Sequence, residues 1–367
     1  MLLYILAILA SLLLTTLIAI PYIKLLFKFN IRRPPKVKLD DILPGNSVKL
    51  GTPIMGGTVI ILTIIILLTI FLRNWEYYWM VVLICFIGGF LGFVDEYTNT
   101  LGRTFMAVRK SRSTKTKTAS LAPTKGMLGS IKKVLLIPWK AFEEVLRIMG
   151  GEQKGLKNHY KFLMYFLLTA IVIYFFVQNS VPTVFYLPYL GSIELGTLYY
   201  VMVAFLLIGY AVAFGITDGL DGMSAGTHAI AFLAYGILAA YFGLPQLALL
   251  ALIIVGAELA FLYFNIKPAR MEMSDVGTLP LGMLFVVIAL LLNREITLPF
   301  IGAIFTIEIL SSVSQQWSVK LTGKRIFLVA PIHHHFQKLG WEENKVVERF
   351  WLFAVIFAMV GLVLALI

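Results

Sequence analysis

The sequence predicts an all-α, polytopic integral membrane protein with about ten transmembrane helices, both termini on the outer face and its polar loops gathered on the cytoplasmic face. Three observations predict it. Of the 367 residues, 59% are hydrophobic. Apolar runs of about 20 residues, enough for a ~30 Å hydrocarbon core, recur along the chain. The basic residues fall almost entirely into alternate connecting loops, as retention of Lys and Arg in the cytoplasm requires.

Ten runs stand out, at 2 to 23, 52 to 72, 79 to 94, 162 to 178, 196 to 216, 226 to 243, 245 to 265, 277 to 292, 297 to 318 and 350 to 367. The first has no basic residues ahead of it and no small-residue cleavage site, so it reads as a retained span rather than a signal peptide. Cys85, the single cysteine, lies inside the third run, which excludes an intrachain disulfide and a cysteine-based metal site. Gly243, Leu244 and Pro245 form a breaker between the sixth and seventh runs and predict a tight helical hairpin. With both termini outside, segments 24 to 51, 95 to 161, 266 to 276 and 319 to 349 hold 29 of the 31 Lys and Arg residues, leaving Arg73 and Arg294 outside.

The net charge of +12 is thus a topology signal and a surface for anionic lipid headgroups, not a nucleic-acid footprint. The chain reads as one membrane domain over 1–367 with a basic cytoplasmic insertion at about 100–153. That insertion combines the Ser/Thr/Lys-rich run RKSRSTKTKTASLAPTKG with an amphipathic stretch, GSIKKVLLIPWKAFEEVLRIMGG. A helix lying on the inner leaflet, interrupted near Pro138, is favoured over a docking site for another protein.

Acidic residues mark the inner ends of spans: Asp95 and Glu96 in GFVDEY, Asp218 and Asp221 in GITDGLDGM, and Asp275 in MSDVG. Five carboxylates drawn to one membrane face repel, and such a cluster is expected to persist ionised with a cation, for which oxygen donors of this kind suit Mg²⁺. Helix capping or pairing with loop lysines is the plainer reading of any one of them. Gly215, Gly219, Gly222 and Gly226 surround the second pair and permit close backbone approach to a ligand or simply tight helix packing. Glu308, Ser311, Ser312 and Gln315 share one helix face, which serves either to bind another helix or to line a cleft. Three of the five histidines are consecutive, His333, His334 and His335 in APIHHHFQKLGW. Consecutive residues point in different directions and seldom ligate one metal, so near Lys324, Arg325 and Lys338 they read as phosphate donors, one of them with a role in proton transfer.

The stretches KLGTPIMGG, GFVDEY, KGLKNHYKF, TDGLDGMSAG, FNIKPARMEMSDVGTLPLG, GKRIF, APIHHHFQKLGW and KVVERFW, in this order, resemble those of the phospho-N-acetylmuramoyl-pentapeptide-transferases. These are the MraY or translocase I family of the polyprenyl-phosphate hexosamine-1-phosphate transferase superfamily. The resemblance covers almost the whole chain apart from the insertion, and the histidine segment is specific to this branch. It implies ten helices in the bacterial cytoplasmic (inner) membrane and Mg²⁺-dependent catalysis at the inner face. The implied reaction moves phospho-MurNAc-pentapeptide from UDP-MurNAc-pentapeptide to undecaprenyl phosphate, giving lipid I and UMP for peptidoglycan. It also implies the lipid bilayer as a partner and is compatible with a homodimer.

By that resemblance Asp95 acts on the acceptor phosphate, and Asp275 is the principal Mg²⁺ ligand. Lys49, Asp221, Asn265 and Gln315 line the nucleoside pocket, Asp218 and Lys161 are further cleft positions, and His333, His334 and His335 lie near the sugar and diphosphate. Asp95, Glu96, Asp218 and His333 are accordingly the candidate catalytic residues. The chain departs from the family pattern at several cleft positions. Glu96 and Asn99 replace Asp and Lys, Val212 and Gly215 replace two Asn, and Asn46 replaces a His. Glu272 replaces the aromatic expected to stack on uracil, and Ser274 replaces a Gly. An alternative is therefore a diverged paralogue, non-catalytic or altered in substrate, that binds polyprenyl phosphate or a partner protein. A transporter with an intramembrane carboxylate relay is disfavoured, because the acids gather at one face and not at the midplane.

Overall fold

The computed structural model describes residues 1–33, 51–114 and 158–367, with 99–114 and 158–159 described by their backbone alone. Lys49, Asn46, the Asn99 side chain and most of the insertion lie outside the described residues. The chain divides into two compact units, Met1–Gly92 with Tyr165–Ile367, and Phe93–Met164.

All ten apolar runs are helical: α1 (Leu2–Lys28), α2 (Gly57–Phe71), α3 (Tyr78–Thr114), α4 (Asn158–Gln178), α5 (Leu198–Thr217), α6 (Met223–Tyr241), α7 (Pro245–Asn265), α8 (Asp275–Leu291), the pair α9 (Leu298–Ile301) and α10 (Ala303–Thr322), and α12 (Glu343–Leu366). A short helix, α11 (Ile332–Lys338), carries the histidines. Among the described residues seven helices are long and apolar enough to cross a bilayer, eight if the bent pair of Glu295–Ile301 with Ala303–Thr322 counts as one span. The protein is an all-α, multi-pass membrane protein.

Two departures from the expected elements have local causes. The ninth run is not one straight span: its two parts meet at 81° around Gly302, where a Cβ would come within 2.8 Å of Leu298 O and 2.9 Å of the Phe285 ring. Pro299 next to this break gives α9 its first-turn proline. The loop before α5 contains an antiparallel hairpin of β1 (Val184–Leu187) and β2 (Gly191–Glu194), which hydropathy alone does not reveal. Arg294 lies 4.0 Å over the Tyr186 ring and donates from Nε to Ala365 O at 2.8 Å, tying the hairpin to the end of α12.

In the larger unit α8 is the central helix, buried from Val276 to Leu290. Its 17 residues span only about 25 Å. Because it is enclosed by protein, the irregular backbone at its ends can be satisfied by neighbouring loops instead of lipid. Around it, α6 and α7 pack as the hairpin that the Gly243 turn predicts, and α1 lies along α7. That approach is close: the Ser11 hydroxyl donates to Ile253 O at 2.6 Å, and a Cβ on Gly256 would overlap Ile8 O. Small residues at such crossings let dispersion, rather than a hydrophobic gain unavailable in lipid, hold the helices. An aromatic cluster of Phe214, Phe232, Phe285 and Phe305 fills the centre.

In the smaller unit, the continuation of α3 packs Phe93, Val94 and Tyr97 against Met164 of α4. Phe93 and Tyr97, four residues apart on one helix face, stack at 5.7 Å.

Candidate active site

At one end of the larger unit three segments interlock: loop 218–222 between α5 and α6, loop 266–274 between α7 and α8, and the segment from Lys324 through α11. Asp218 joins the first two. Its Oδ2 accepts the Ser274 N–H at 2.9 Å, and its Oδ1 accepts the Ser224 hydroxyl at 2.7 Å. Asp275 follows Ser274 directly as the first residue of α8, and a Cβ on Gly215 would stand 3.4 Å from its Oδ1. Glycine at 215, where the family pattern has Asn, therefore leaves room beside that carboxylate.

Asp221 and Asn265 complete the clasp. Asp221 Oδ2 accepts the Ala269 N–H at 3.1 Å. Asn265 accepts the Gly222 N–H at 3.0 Å and donates to Met271 O at 2.9 Å. Gly222 has φ +80, a conformation disfavoured for side chains with a Cβ. Glu343, at the start of α12, accepts the Asp221 N–H at 3.1 Å and pairs with Lys267 at 3.0 Å. Trp351 donates to Gly222 O at 3.2 Å, and a Cβ on Gly226 would overlap its ring.

Loop 266–274 is also laced to the stretch before α2. Glu272 N–H donates to Pro53 O at 2.8 Å, while Gly56 and Gly57 donate to Glu272 O and Met273 O at 2.7 and 2.9 Å. Ser274 has φ +60 where the family pattern has Gly, and its hydroxyl accepts the Met55 N–H at 3.1 Å. The positive φ costs about 1 kcal/mol or more for a residue with a Cβ, which that hydrogen bond and the one to Asp218 offset. The Glu272 carboxylate pairs with Arg33 at 2.9 Å, so the side chain replacing the aromatic has its own protein partner.

The polar face of α10 docks the histidine segment. Gln315 accepts from Ile326 and Phe327 N–H, both at 3.0 Å, and donates to Phe327 O at 3.1 Å. Ser311 accepts the Ile332 N–H at 3.0 Å. Glu308 Oε2 lies 2.8 Å from His333 Nδ1. His333 is buried, its Nε2 has no hydrogen-bond partner among the described residues, and a Cβ on Gly219 would overlap that atom. The imidazole thus lies against the backbone beside Asp218. His334 Nδ1 meets Gln337 Oε1 at 2.8 Å, and His335 Nδ1 accepts the Leu328 N–H at 3.2 Å. Each ring serves a different partner, as expected of consecutive residues. Lys324, Arg325 and Lys338 are exposed around them.

Asp95, Glu96 and Lys161 belong to the smaller unit, where Lys161 Nζ donates to the Asp95 carboxylate and the Thr98 hydroxyl to Asp95 O at 2.8 Å. Asp218 and Asp221 are satisfied by backbone N–H groups and a hydroxyl, and Asp95 by an ammonium. Among the described residues no three His, Cys, Asp or Glu side chains form a metal-holding group. Sequence reasoning missed Glu343, Trp351, Ser224 and Arg33. Ser224 and Trp351 lie within TDGLDGMSAG and KVVERFW without standing out there, and Glu343 is an acid in the first turn of a helix after GW.

The profile described as "Glycosyl transferase family 4" matches residues 150–293. A phospho-N-acetylmuramoyl-pentapeptide-transferase of Oceanobacillus iheyensis is 37% identical over 324 residues, covering 85% of this chain and 83% of that protein. One from Geobacillus sp. (strain WCH70) is 34% identical over 371 residues, covering 98% and 96%. One from Staphylococcus aureus is 33% identical over 324 residues, covering 86% and 85%.

Proposed function

The chain belongs to the phospho-N-acetylmuramoyl-pentapeptide-transferase family, and from that premise we propose that it transfers phospho-MurNAc-pentapeptide from UDP-MurNAc-pentapeptide to undecaprenyl phosphate in the cytoplasmic membrane. Lipid I and UMP are the products. The observation that carries this reading is the clasp in which Asp218 holds Ser274 beside Asp275 while His333 lies against Gly219. It joins three of the motifs that carry the family resemblance, TDGLDGMSAG, FNIKPARMEMSDVGTLPLG and APIHHHFQKLGW.

An oxygen of the acceptor phosphate forms the new bond to the phosphorus attached to the sugar, and the bond from that phosphorus to the bridging oxygen of UMP breaks. Positioning and charge neutralisation dominate phosphoryl transfer, since little covalent chemistry is left to the protein. Within the smaller unit, the Asp95/Lys161 pair is suited to a phosphate, with the ammonium drawing it and the carboxylate receiving its proton. His333 is oriented by Glu308, which accepts from Nδ1–H and leaves Nε2 as a base or, protonated, as a donor to diphosphate. His335, whose Nδ1 accepts a backbone N–H, keeps its proton on Nε2 and donates outward, and Lys324 and Arg325 add positive charge. Asp275 offers a hard oxygen donor, which fits Mg²⁺ holding one protein carboxylate and taking its other ligands from water and substrate phosphate. Bound there, the ion would neutralise charge on the diphosphate.

The reading is tested by incubating the protein in lipid nanodiscs with both substrates and Mg²⁺ and following lipid I by mass spectrometry. Lipid I that forms with Mg²⁺ and is lost with chelator supports it. Undecaprenyl phosphate that binds but is never converted favours the non-catalytic paralogue.

A further inference from the structure

His228 and Glu258 take no part in the site described above, yet both are ionisable, and both lie with no exposed surface inside membrane-spanning helices, His228 on α6 and Glu258 on α7. His228 Nδ1 stands 3.0 Å from Glu258 Oε1. The imidazole stacks on Phe214 of α5 at 4.3 Å and 18°, and tilts against Phe305 of α10 at 5.4 Å. His228 Nε2 and Glu258 Oε2 are buried with no hydrogen-bond partner among the described residues.

Such a pair is costly. Two ionisable groups in an apolar bundle, each with a polar atom unsatisfied, contribute less to stability than a well-packed aromatic and a leucine would. What the polar pair offers is direction, because a hydrogen bond fixes one helix against another where dispersion tolerates sliding. Its place is informative. Ser224, which donates to Asp218, lies one turn before His228 on α6. Asn265, which clamps Gly222 and Met271, lies two turns after Glu258 on α7. Phe214, under the imidazole, lies one turn before Asp218 on α5.

We propose that the His228/Glu258 pair is a positioning element of the transferase site: it locks α6 to α7, and through Phe214 to α5, so that Asp218 meets the Ser274 N–H and sets Asp275. Its effect on turnover rests on the reading under Proposed function. The geometric part does not.

The test uses the full chain in nanodiscs with Glu258→Leu, Glu258→Gln and the double variant His228→Phe/Glu258→Leu. The double variant fills the same space without a polar contact. Hydrogen exchange of segments 217–224 and 270–277 should quicken about tenfold in Glu258→Leu and in the double variant, while segment 280–290 stays near wild type and, in the double variant, which leaves no buried polar group unpaired, so does the melting temperature. Glu258→Gln, whose amide can donate to or accept from Nδ1, should keep wild-type exchange. In the same proteins kcat should fall about tenfold in the two leucine variants with KM for UDP-MurNAc-pentapeptide little changed. Wild-type exchange at 270–277 in the double variant would overturn the proposal. So would a glutamine variant as impaired as the leucine one, or, in the double variant, faster exchange throughout α6 and α7 with a lowered melting temperature. If the wild type converts no substrate, the transferase reading falls, and the exchange comparison still decides whether the pair positions the loops.

Discussion

The Asp218 carboxylate accepts the backbone N–H of Ser274 at 2.9 Å, across 56 residues of sequence and immediately before Asp275. The loop that leads into Asp275 is thereby held by a second carboxylate on another helix connection. In Asp218→Ala the Ser274 N–H loses its partner, and so does the Ser224 hydroxyl. Stability should fall by about 1–3 kcal/mol. Lipid I synthesis should fall by about a hundredfold, because displacement of a reacting group by an ångström has that scale of effect. Thermal unfolding beside a turnover assay checks both.

Gly219 and Gly226 are spaced seven apart and look alike in sequence, but the structure gives them different neighbours. Gly219→Ala would push on the His333 ring and Gly226→Ala on Trp351. Both should lower the melting temperature, since overpacking a well-filled contact costs typically 1–3 kcal/mol. Only the first should also reduce turnover about as far as His333→Ala. Equal effects of both variants on turnover would count against this division.

Glu308 orients a buried imidazole, so Glu308→Gln keeps volume but exchanges a carboxylate acceptor for an amide. We expect kcat to drop by about a hundredfold with KM for the nucleotide substrate little changed, the pattern of an interaction made mainly in the transition state. A rise in KM at constant kcat would instead make Glu308 a determinant of substrate binding.

Glu272 is the departure most open to direct test. Its ion pair with Arg33, partly exposed, is worth no more than about 1 kcal/mol. Glu272→Phe should therefore cost little stability, and a ring at this position should tighten binding of the UDP substrate by about tenfold. Calorimetry of nucleotide binding with wild type and variant checks this. An unchanged dissociation constant would show that position 272 does not face the base.

How much of this was legible in the sequence depends on the range of the interaction. The ten apolar runs are all helices because hydropathy is a local signal, and the α6/α7 hairpin follows from Gly243 and Pro245. The separate fates of His333, His334 and His335 follow equally from residue-to-residue geometry. The polar face of α10 was visible as a stripe, but its purpose, docking the segment that bears the histidines, needed the fold. The 81° break at Gly302 was missed because the apolar run continues through it, and the hairpin at 184–194 because its strands are only four residues each. Asp218 and Asp221 stand out in the sequence as acids, but the backbone N–H groups they accept lie roughly fifty residues away, at Ser274 and Ala269, and needed the fold. His228 and Glu258 are single polar residues in apolar stretches, and nothing local announces that they face one another.

The central claim is that this chain is a working transferase whose Asp275 holds the reaction's cation. It is tested most directly by measuring UMP released from UDP-MurNAc-pentapeptide by full-length protein with undecaprenyl phosphate and Mg²⁺, beside Asp275→Ala. The account predicts steady UMP release matched by lipid I, reduced by about a thousandfold in the variant. UMP release by the wild type no greater than that of Asp275→Ala, in protein shown to be folded, would contradict it.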